Sequence, residues 1–329
     1  MNRRSAISII AGVAICMAVS LEAAAQAGKK IPRIGVLVTG PPPAEHACVA
    51  GLRAGLTQFG YVDGRTHLLD IGWMEGQPEQ TFPRLAAELV GRGADVIVSV
   101  ASNGLVEAKQ AMAGVPVVMA VSSYPVERGL ISSLSRPGGN ITGMATFSGD
   151  LYAKRMQLLA EALPGVARVT IVRVPGDMSD AILRDLDSAA RRYALKLRVV
   201  EVKAAEDFAA LFHAAARESA QAIMTTQSPF FYQHRRLIAQ LALKHKLPAF
   251  SGEPMAAEAG MLIAHGASIP HSCERAASFV DRILKGAKPA DLPAEQSMKY
   301  ELVINLNTAR ALSLTLPQAI LLRADKVIE

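Results

Sequence analysis

Aromatic side chains are scarce in this sequence: they make up 5% of it, and Trp73 is the sole tryptophan. An aromatic at a strand end therefore carries weight. Cysteine is scarcer, with only Cys16, Cys48 and Cys273. A chain so poor in cysteine is no disulfide scaffold, and its fold must rest on an apolar core. Charge of one sign is nowhere concentrated. The formal charge is +6 at pH 7, but no run of five or six like charges occurs. That reads as a mildly basic soluble protein and argues against nucleic acid as a partner.

Motifs that carry chemistry are also missing. No G-x-G-x-x-G follows the first expected strand and no Walker sequence occurs, so a dinucleotide or nucleoside triphosphate would lack its phosphate loop. No G-x-S-x-G marks a hydrolase nucleophile. The histidines, at positions 46, 67, 213, 234, 245, 265 and 271, form neither H-E-x-x-H nor a Cys/His cluster, which leaves a metal site without support. His213 and His234 fall on expected helices and read as surface or satisfied core residues. No pair of carboxylates is singled out as acid and base. The sequence thus predicts no cofactor, no metal and no enzyme.

What is present is a globular composition, half hydrophobic over 329 residues, long enough for two domains. Arg3 and Arg4 form a basic start, residues 5–21 are apolar, and 23–27 read Ala-Ala-Ala-Gln-Ala. This predicts a secretory signal peptide over 1–27, cleaved near Ala27, and export to the periplasm. The apolar stretch is shorter than the ~20 residues of a membrane span, and the twin-arginine pattern is weak. Cys16 lies inside this segment. An exported compartment permits a disulfide between Cys48 and Cys273, but both fall on expected helices far apart in the chain, and we read them as two buried free thiols.

Through the rest of the chain, apolar strands alternate with amphipathic helices. Strands are expected over 33–38, 68–73, 95–100 and 115–121, with a helix over about 44–59. The rhythm lapses over 121–144, where Ser, Gly and Pro accumulate and end in Pro137-Gly138-Gly139-Asn140, a cluster of turn signals. It restarts with an extended stretch at 141–145, a helix over about 150–163, and strands at 168–174, 197–202, 222–226 and 248–251. Ser228-Pro229 reads as N-cap and first residue of a helix running to Lys246, with Leu237, Leu241 and Leu243 on it. Near-continuous apolar strands imply parallel sheets covered by helices on both faces. The fold class is therefore α/β, with two Rossmann-like lobes joined by a multi-strand hinge. We expect residues 28–121 plus about 255–329 in the first lobe and 122–254 in the second. After Pro317 the chain reads as a terminal helix.

Ligands of open α/β sheets bind at the carboxyl ends of strands. The strand ends offer Thr39, Gly40, Trp73, Ser102, Asn103, Ser122 and Tyr124 from the first lobe. The second offers Phe147, Gln227, Ser228, Phe230 and Glu253. Ser102, Asn103 and Ser228 sit where helices begin, so free N–H groups and the helix dipole suit a ligand carboxylate; ordinary capping explains them as well. Trp73, Tyr124, Phe147 and Phe230 could stack a planar ligand. Core or hinge packing is the competing reading, favoured for Phe147 and Phe230.

Several stretches resemble one family: RIGVL at 33–37, GYVDGR at 60–65, DVIVSV at 95–100, YPVERGLISSLSRPGGNITG at 124–143, LPAFSGEPMAAEAGMLIAHG at 247–266 and the segment from Arg275 to Pro317. Together they cover essentially the whole chain after residue 27. The sequence resembles the substrate-binding proteins of ABC importers, of the tryptophan/tyrosine-binding type. The resemblance implies a type I periplasmic-binding-protein fold with a three-stranded hinge and no catalysis. It further implies a monomer that traps a small-molecule solute, aromatic or carboxylate-bearing, and delivers it to an inner-membrane permease. A sensory receptor serving a membrane signalling partner is the alternative, followed by an enzyme on a bilobal α/β fold. Family members often carry Asp-Pro where Tyr124-Pro125 stands, and those that bind aromatic amino acids tend to have an acid at Gln227. Glu75, Asp177 or Glu253 could replace those charges. A neutral or anionic, partly aromatic solute is equally open.

Overall fold

A computed structural model describes residues 30–39, 46–74, 78–100, 102–145, 149–178 and 180–329. The expected signal peptide, Gly40, Glu75 and Phe147 lie outside these residues, as do the side chains of Thr39, Ser102 and Asn103. Among the described residues, no helix is long and apolar enough to cross a membrane.

The first half follows the expected β-α alternation: β1 (Arg33–Thr39), α1 (Ala47–Gln58), β2 (Leu68–Met74), α2 (Pro78–Gly91), β3 (Val96–Ser99), α3 (Ser102–Ala108), β4 (Val117–Ser122) and β5 (Ile141–Ala145). The second half continues with α4 (Gly149–Ala162), β6 (Arg168–Arg173), α5 (Asp180–Arg192), β7 (Lys196–Glu201), α6 (Asp207–Arg217), β8 (Ala222–Thr225), α7 (Pro229–Gln233), α8 (Arg235–Lys244) and β9 (Ala249–Ser251). The remainder holds α9 (Pro254–Glu258), β10 (Ile263–Ala267), α10 (Ile269–Leu284), β11 (Glu295–Gln296), β12 (Tyr300–Asn305), α11 (Leu306–Ala311), α12 (Gln318–Leu321) and β13 (Lys326–Ile328).

Among the described residues these strands form two sheets, in the orders β11-β5-β4-β3-β1-β2 and β13-β12-β10-β9-β8-β6-β7. The first is parallel throughout. The second is parallel except where β10 meets β12. Each sheet is covered on both faces. Val36, Val96 and Val118 pack on one side of the first, against Leu52, Phe279 and Val280; Leu37, Ile97 and Met119 pack on the other, against Phe82 and Leu105. The second sheet buries Ile171 and Met224 with Met156 and Leu186, and Val172 and Ile223 with Phe208, Phe212 and Ile238. Burial on both faces is why these strands read as unbroken apolar runs.

The lobe assignments differ from expectation. β5 pairs with β4, Val117 opposite Ile141, and so completes the first sheet rather than opening the second. The turn at 137–140 folds the chain back beside β4, where the Asn140 side-chain amide donates to the carbonyls of Met112 and Val115, each at 2.7 Å. The crossing therefore comes after Ala145. Of the tail, α10 and β11 return to the first lobe, but β10, β12 and β13 extend the second sheet. The expected terminal helix shrinks to α12. Asp325 then accepts the Leu302 N–H at 2.7 Å, and β13 lies parallel to β12.

Three segments cross between the lobes: after β5, between β10 and α10, and between β11 and β12. They are tied to one another. The Ser297 N–H donates to the Ala145 carbonyl at 2.8 Å and the Ser268 N–H to the Lys299 carbonyl at 3.0 Å.

Cys48 and Cys273 form a disulfide, not two thiols, with Cα atoms 5.2 Å apart. It joins α1 to α10. Those helices touch closely enough that a Cβ at Gly51 would lie 2.3 Å from the Pro270 carbonyl oxygen, and one at Gly55 2.3 Å from that of Glu274. The expected helix from Ser228 to Lys246 is broken at His234, which ends α7 and precedes α8. The break turns Ile238, Ala239 and Ala242 inward and leaves Leu237 and Leu243 exposed.

Candidate functional site

Parallel topology places the carboxyl ends of β1 to β5 on one edge of the first lobe and those of β6, β8 and β9 on one edge of the second. Side chains from these edges meet across the cleft in two groups.

The first group is built on His46. It is the N-cap of α1, in extended conformation, and its Nδ1 accepts the Cys48 N–H at 3.3 Å. That bond puts the proton of a neutral ring on Nε2. His46 is 9% exposed, and its Nε2 is buried with no hydrogen-bond partner. Burial first, and the charge of Arg235 second, hold it below the ordinary histidine value, so it remains a neutral donor. The ring lies edge-on to Trp73 of β2, with centroids 5.7 Å apart, and to Tyr232 of α7 in the other lobe, at 6.5 Å. The Arg235 guanidinium sits 4.3 Å over the Tyr232 ring and donates to the Tyr232 carbonyl at 2.6 Å.

The second group centres on Tyr124. It follows β4 with φ of +55°, in the left-handed region that a bulky residue rarely adopts. Such backbone costs on the order of 1–3 kcal/mol and persists only where the surroundings demand it. Burial, then the nearby Tyr152 hydroxyl, raise its hydroxyl above the ordinary tyrosine value; Arg155 opposes them. Tyr152 and Arg155 belong to α4, so this electrostatic influence reaches across the lobes. Arg155 is 3% exposed. Its Nε donates to the His265 carbonyl at 2.8 Å, and one Nη approaches Gln227 Oε1 and the Gly252 carbonyl, each at 3.4 Å. Its guanidinium lies 5.1 Å over the Tyr152 ring. Burial pushes the Tyr152 hydroxyl up to about 12.

Two carboxylates complete the setting. Asp177 accepts the Thr226 hydroxyl and the Val174 N–H on Oδ2, while its buried Oδ1 has no hydrogen-bond partner. Burial raises its titration above the usual carboxylate range, against those two bonds and the charges of Arg173 and Arg128. Glu253, 7% exposed, is pushed up to about 7 by burial, partly offset by Arg155 and Arg235.

Of the residues chosen from sequence, Trp73, Tyr124, Gln227 and Glu253 lie in or beside these groups. Ser122 ends β4 fully buried, its Oγ without a hydrogen-bond partner. Ser228 caps α7 as expected, its Oγ accepting the Phe230 N–H at 3.2 Å, and is 3% exposed. Phe230 is partly buried, and its ring packs on Phe208 at 5.5 Å and His234 at 4.7 Å, against the core of the second lobe, in line with the packing reading favoured for it. For Gly40 and Phe147, and for the side chains of Thr39, Ser102 and Asn103, the described residues offer no placement.

His46, Tyr152, Arg155, Tyr232 and Arg235 were missed. The helix expected from Ala44 placed His46 inside it rather than at its cap. Tyr152 and Arg155 are three apart on α4, a spacing that puts both on one face, but nothing local marks that face as buried. Tyr232 and Arg235 are likewise three apart, and nothing local places Tyr232 beside His46 of the other lobe.

The arrangement is a two-sided clamp. Aromatic rings and guanidinium groups converge from both lobes, with buried donors and acceptors facing inward and no nucleophile–base pair among them. Known proteins agree with this reading. The model of the family described as ABC transporter substrate binding protein matches residues 33–328. A tyrosine-binding protein of Clostridioides difficile is 22% identical over 290 residues, covering 87% of this chain and 82% of the relative. Two solved structures superpose with TM-score 0.81 over 91% of this chain and the whole of the other. One, at 25% identity, is a conserved domain protein from Vibrio cholerae. The other, at 23%, is an ABC domain from Streptococcus pneumoniae in complex with L-Trp. Both share the type I periplasmic-binding fold of two parallel-sheet α/β lobes. The chain belongs to the ABC transporter substrate binding protein family.

Proposed function

We propose that this protein is exported to the periplasm, loses residues 1–27, and captures a small organic solute between its lobes for delivery to an inner-membrane ABC permease. The observation that carries this reading is the contact of His46, packed on Trp73 of its own lobe, with Tyr232 of the other. A solute gripped by both sides favours the closed form by its differential affinity for it, and by no other means. A micromolar solute supplies about 8 kcal/mol in total, enough to shift such an equilibrium.

Trp73, Ser122, Tyr124, Gln227, Ser228 and Glu253, together with His46 and Tyr152, are the residues proposed to line the bound solute. The names of the relatives, one binding tyrosine and one solved with L-Trp, direct attention to solutes with an aromatic part. Catalysis has no part in this reading: the family is one of substrate-binding proteins.

Native mass spectrometry of the mature protein, purified without denaturation, tests this. A co-purified small molecule, released on unfolding and accompanied by compaction in small-angle scattering when added back, is expected. Turnover of that molecule by the protein, or occupancy of the cleft without compaction, would overturn the reading.

A further inference from the structure

Resting on that solute-binding role, we propose that the cleft is built for an organic anion: an aromatic carboxylic acid without an α-ammonium group, its carboxylate held by His46 and Arg235.

His46 Nε2–H is a buried donor with nothing to donate to, on a ring that packs against aromatic rings from both lobes. A ligand oxygen is the acceptor that fits there. The same spot is the N-terminus of α1, a helix of 12 residues, where the helix dipole favours negative charge. Arg235 brings a full positive charge to the other side, anchored on Tyr232. Carboxylate binding thus uses a neutral donor from one lobe and a cation from the other, which makes it sensitive to closure.

The wider charge balance points the same way. Among the described residues, Arg128, Arg155, Arg173 and Arg235 act on the cleft groups, against the buried Asp177 and Glu253 and the exposed Glu107 and Glu127. Guanidinium groups stay charged even where burial lowers them, as at Arg128 and Arg155, while burial raises both carboxyls, Glu253 to about 7, and water screens the two exposed acids. An anionic ligand relieves this excess, and an ammonium adds to it. Asp177, the carboxylate with an open oxygen, already has Arg173 and Arg128 as neighbouring positive charges. Tyr124 and Gln227 at the edges of the cleft carry no charge. The rings of Trp73, Tyr232 and Tyr152 suit a flat ligand body.

Isothermal titration of the mature protein with matched pairs tests the assignment: 3-phenylpropionate against L-phenylalanine, and indole-3-propionate against L-tryptophan. In at least one pair the acid lacking the ammonium should bind at least tenfold more tightly than its amino acid. His46→Asn, which keeps a capping side chain, should weaken that acid at least tenfold while the melting temperature stays near wild type. If the amino acids bind as tightly or better, or if His46→Asn binds the acid like wild type, solute binding survives and the anion assignment is overturned. If the protein carries no co-purified solute and binds none of the four probes, the solute-binding reading falls and takes this one with it.

Discussion

Cys48 and Cys273 lie 225 positions apart in sequence and are joined by a disulfide. Both are fully buried. The bridge fastens α10, which has just crossed back from the second lobe, to the first turn of α1. The backbone N–H of Cys48 is also the donor that orients His46. The bridge thus connects hinge and site. Replacing both cysteines by alanine should cost roughly 2–5 kcal/mol of stability, the usual range for a native disulfide. Urea denaturation measures it. In the mature protein, thiol labelling should find no free thiol after denaturation alone and two after denaturation with reductant.

Gly51 and Gly55 permit the close approach of α1 to α10. Alanine is the better helix former, by about 1 kcal/mol, so on propensity alone Gly51→Ala and Gly55→Ala would stabilise. The Pro270 and Glu274 carbonyls stand in the way, and such overpacking costs about 1–3 kcal/mol. Each substitution should therefore lower the urea midpoint. A raised midpoint would show that the two helices separate without penalty.

Glu253 should make stability depend on pH. Its folded value is raised from 4.5 to about 7, so the fold holds a proton that the unfolded chain has released. The contribution is fully present below the unfolded value and lost as pH rises through the folded one. About 3 kcal/mol should disappear between pH 4.5 and 8, at 1.36 kcal/mol for each unit. Glu253→Gln should remove this slope. Urea titrations of both proteins across that range check it, and parallel curves would mean that Glu253 is charged throughout.

Tyr124 and Phe230 were both aromatic candidates, and the structure separates them. Tyr124→Ala should weaken solute binding more than tenfold. Phe230→Ala should leave affinity within threefold of wild type but lower stability by about 2–4 kcal/mol, as expected for loss of a packed ring. Calorimetry with the co-purified solute, beside urea denaturation, reads both effects.

The legible part of this protein was local. Apolar runs bounded by turn residues marked the strands, and Ser228-Pro229 marked a helix start that the structure contains. Trp73, Tyr124 and Glu253 could be named as candidates because strand ends of parallel sheets share an edge. The family resemblance, carried by long matching stretches, agrees with the family model over residues 33–328. What was not legible depended on partners far along the chain. β5 was assigned to the wrong lobe because an apolar strand after a turn fits either sheet. His46 was missed because its role arises from Trp73, 27 positions on, and Tyr232 in the other lobe.

The stretch from Val121 to Met144 shows the division. The amino-acid sequence by itself determined that the β-α rhythm lapses there, that Pro137-Gly138-Gly139-Asn140 turns the chain, and that a strand follows. Those are properties of backbone torsions and neighbouring side chains. Only the tertiary structure decided that the strand returns to β4, that the crossing waits until after Ala145, and that Tyr124 lies within electrostatic reach of Tyr152 and Arg155 from the other lobe. Strand partnership, disulfide pairing and interlobe contact are set by which surfaces can be buried together, and that is a property of the assembled fold.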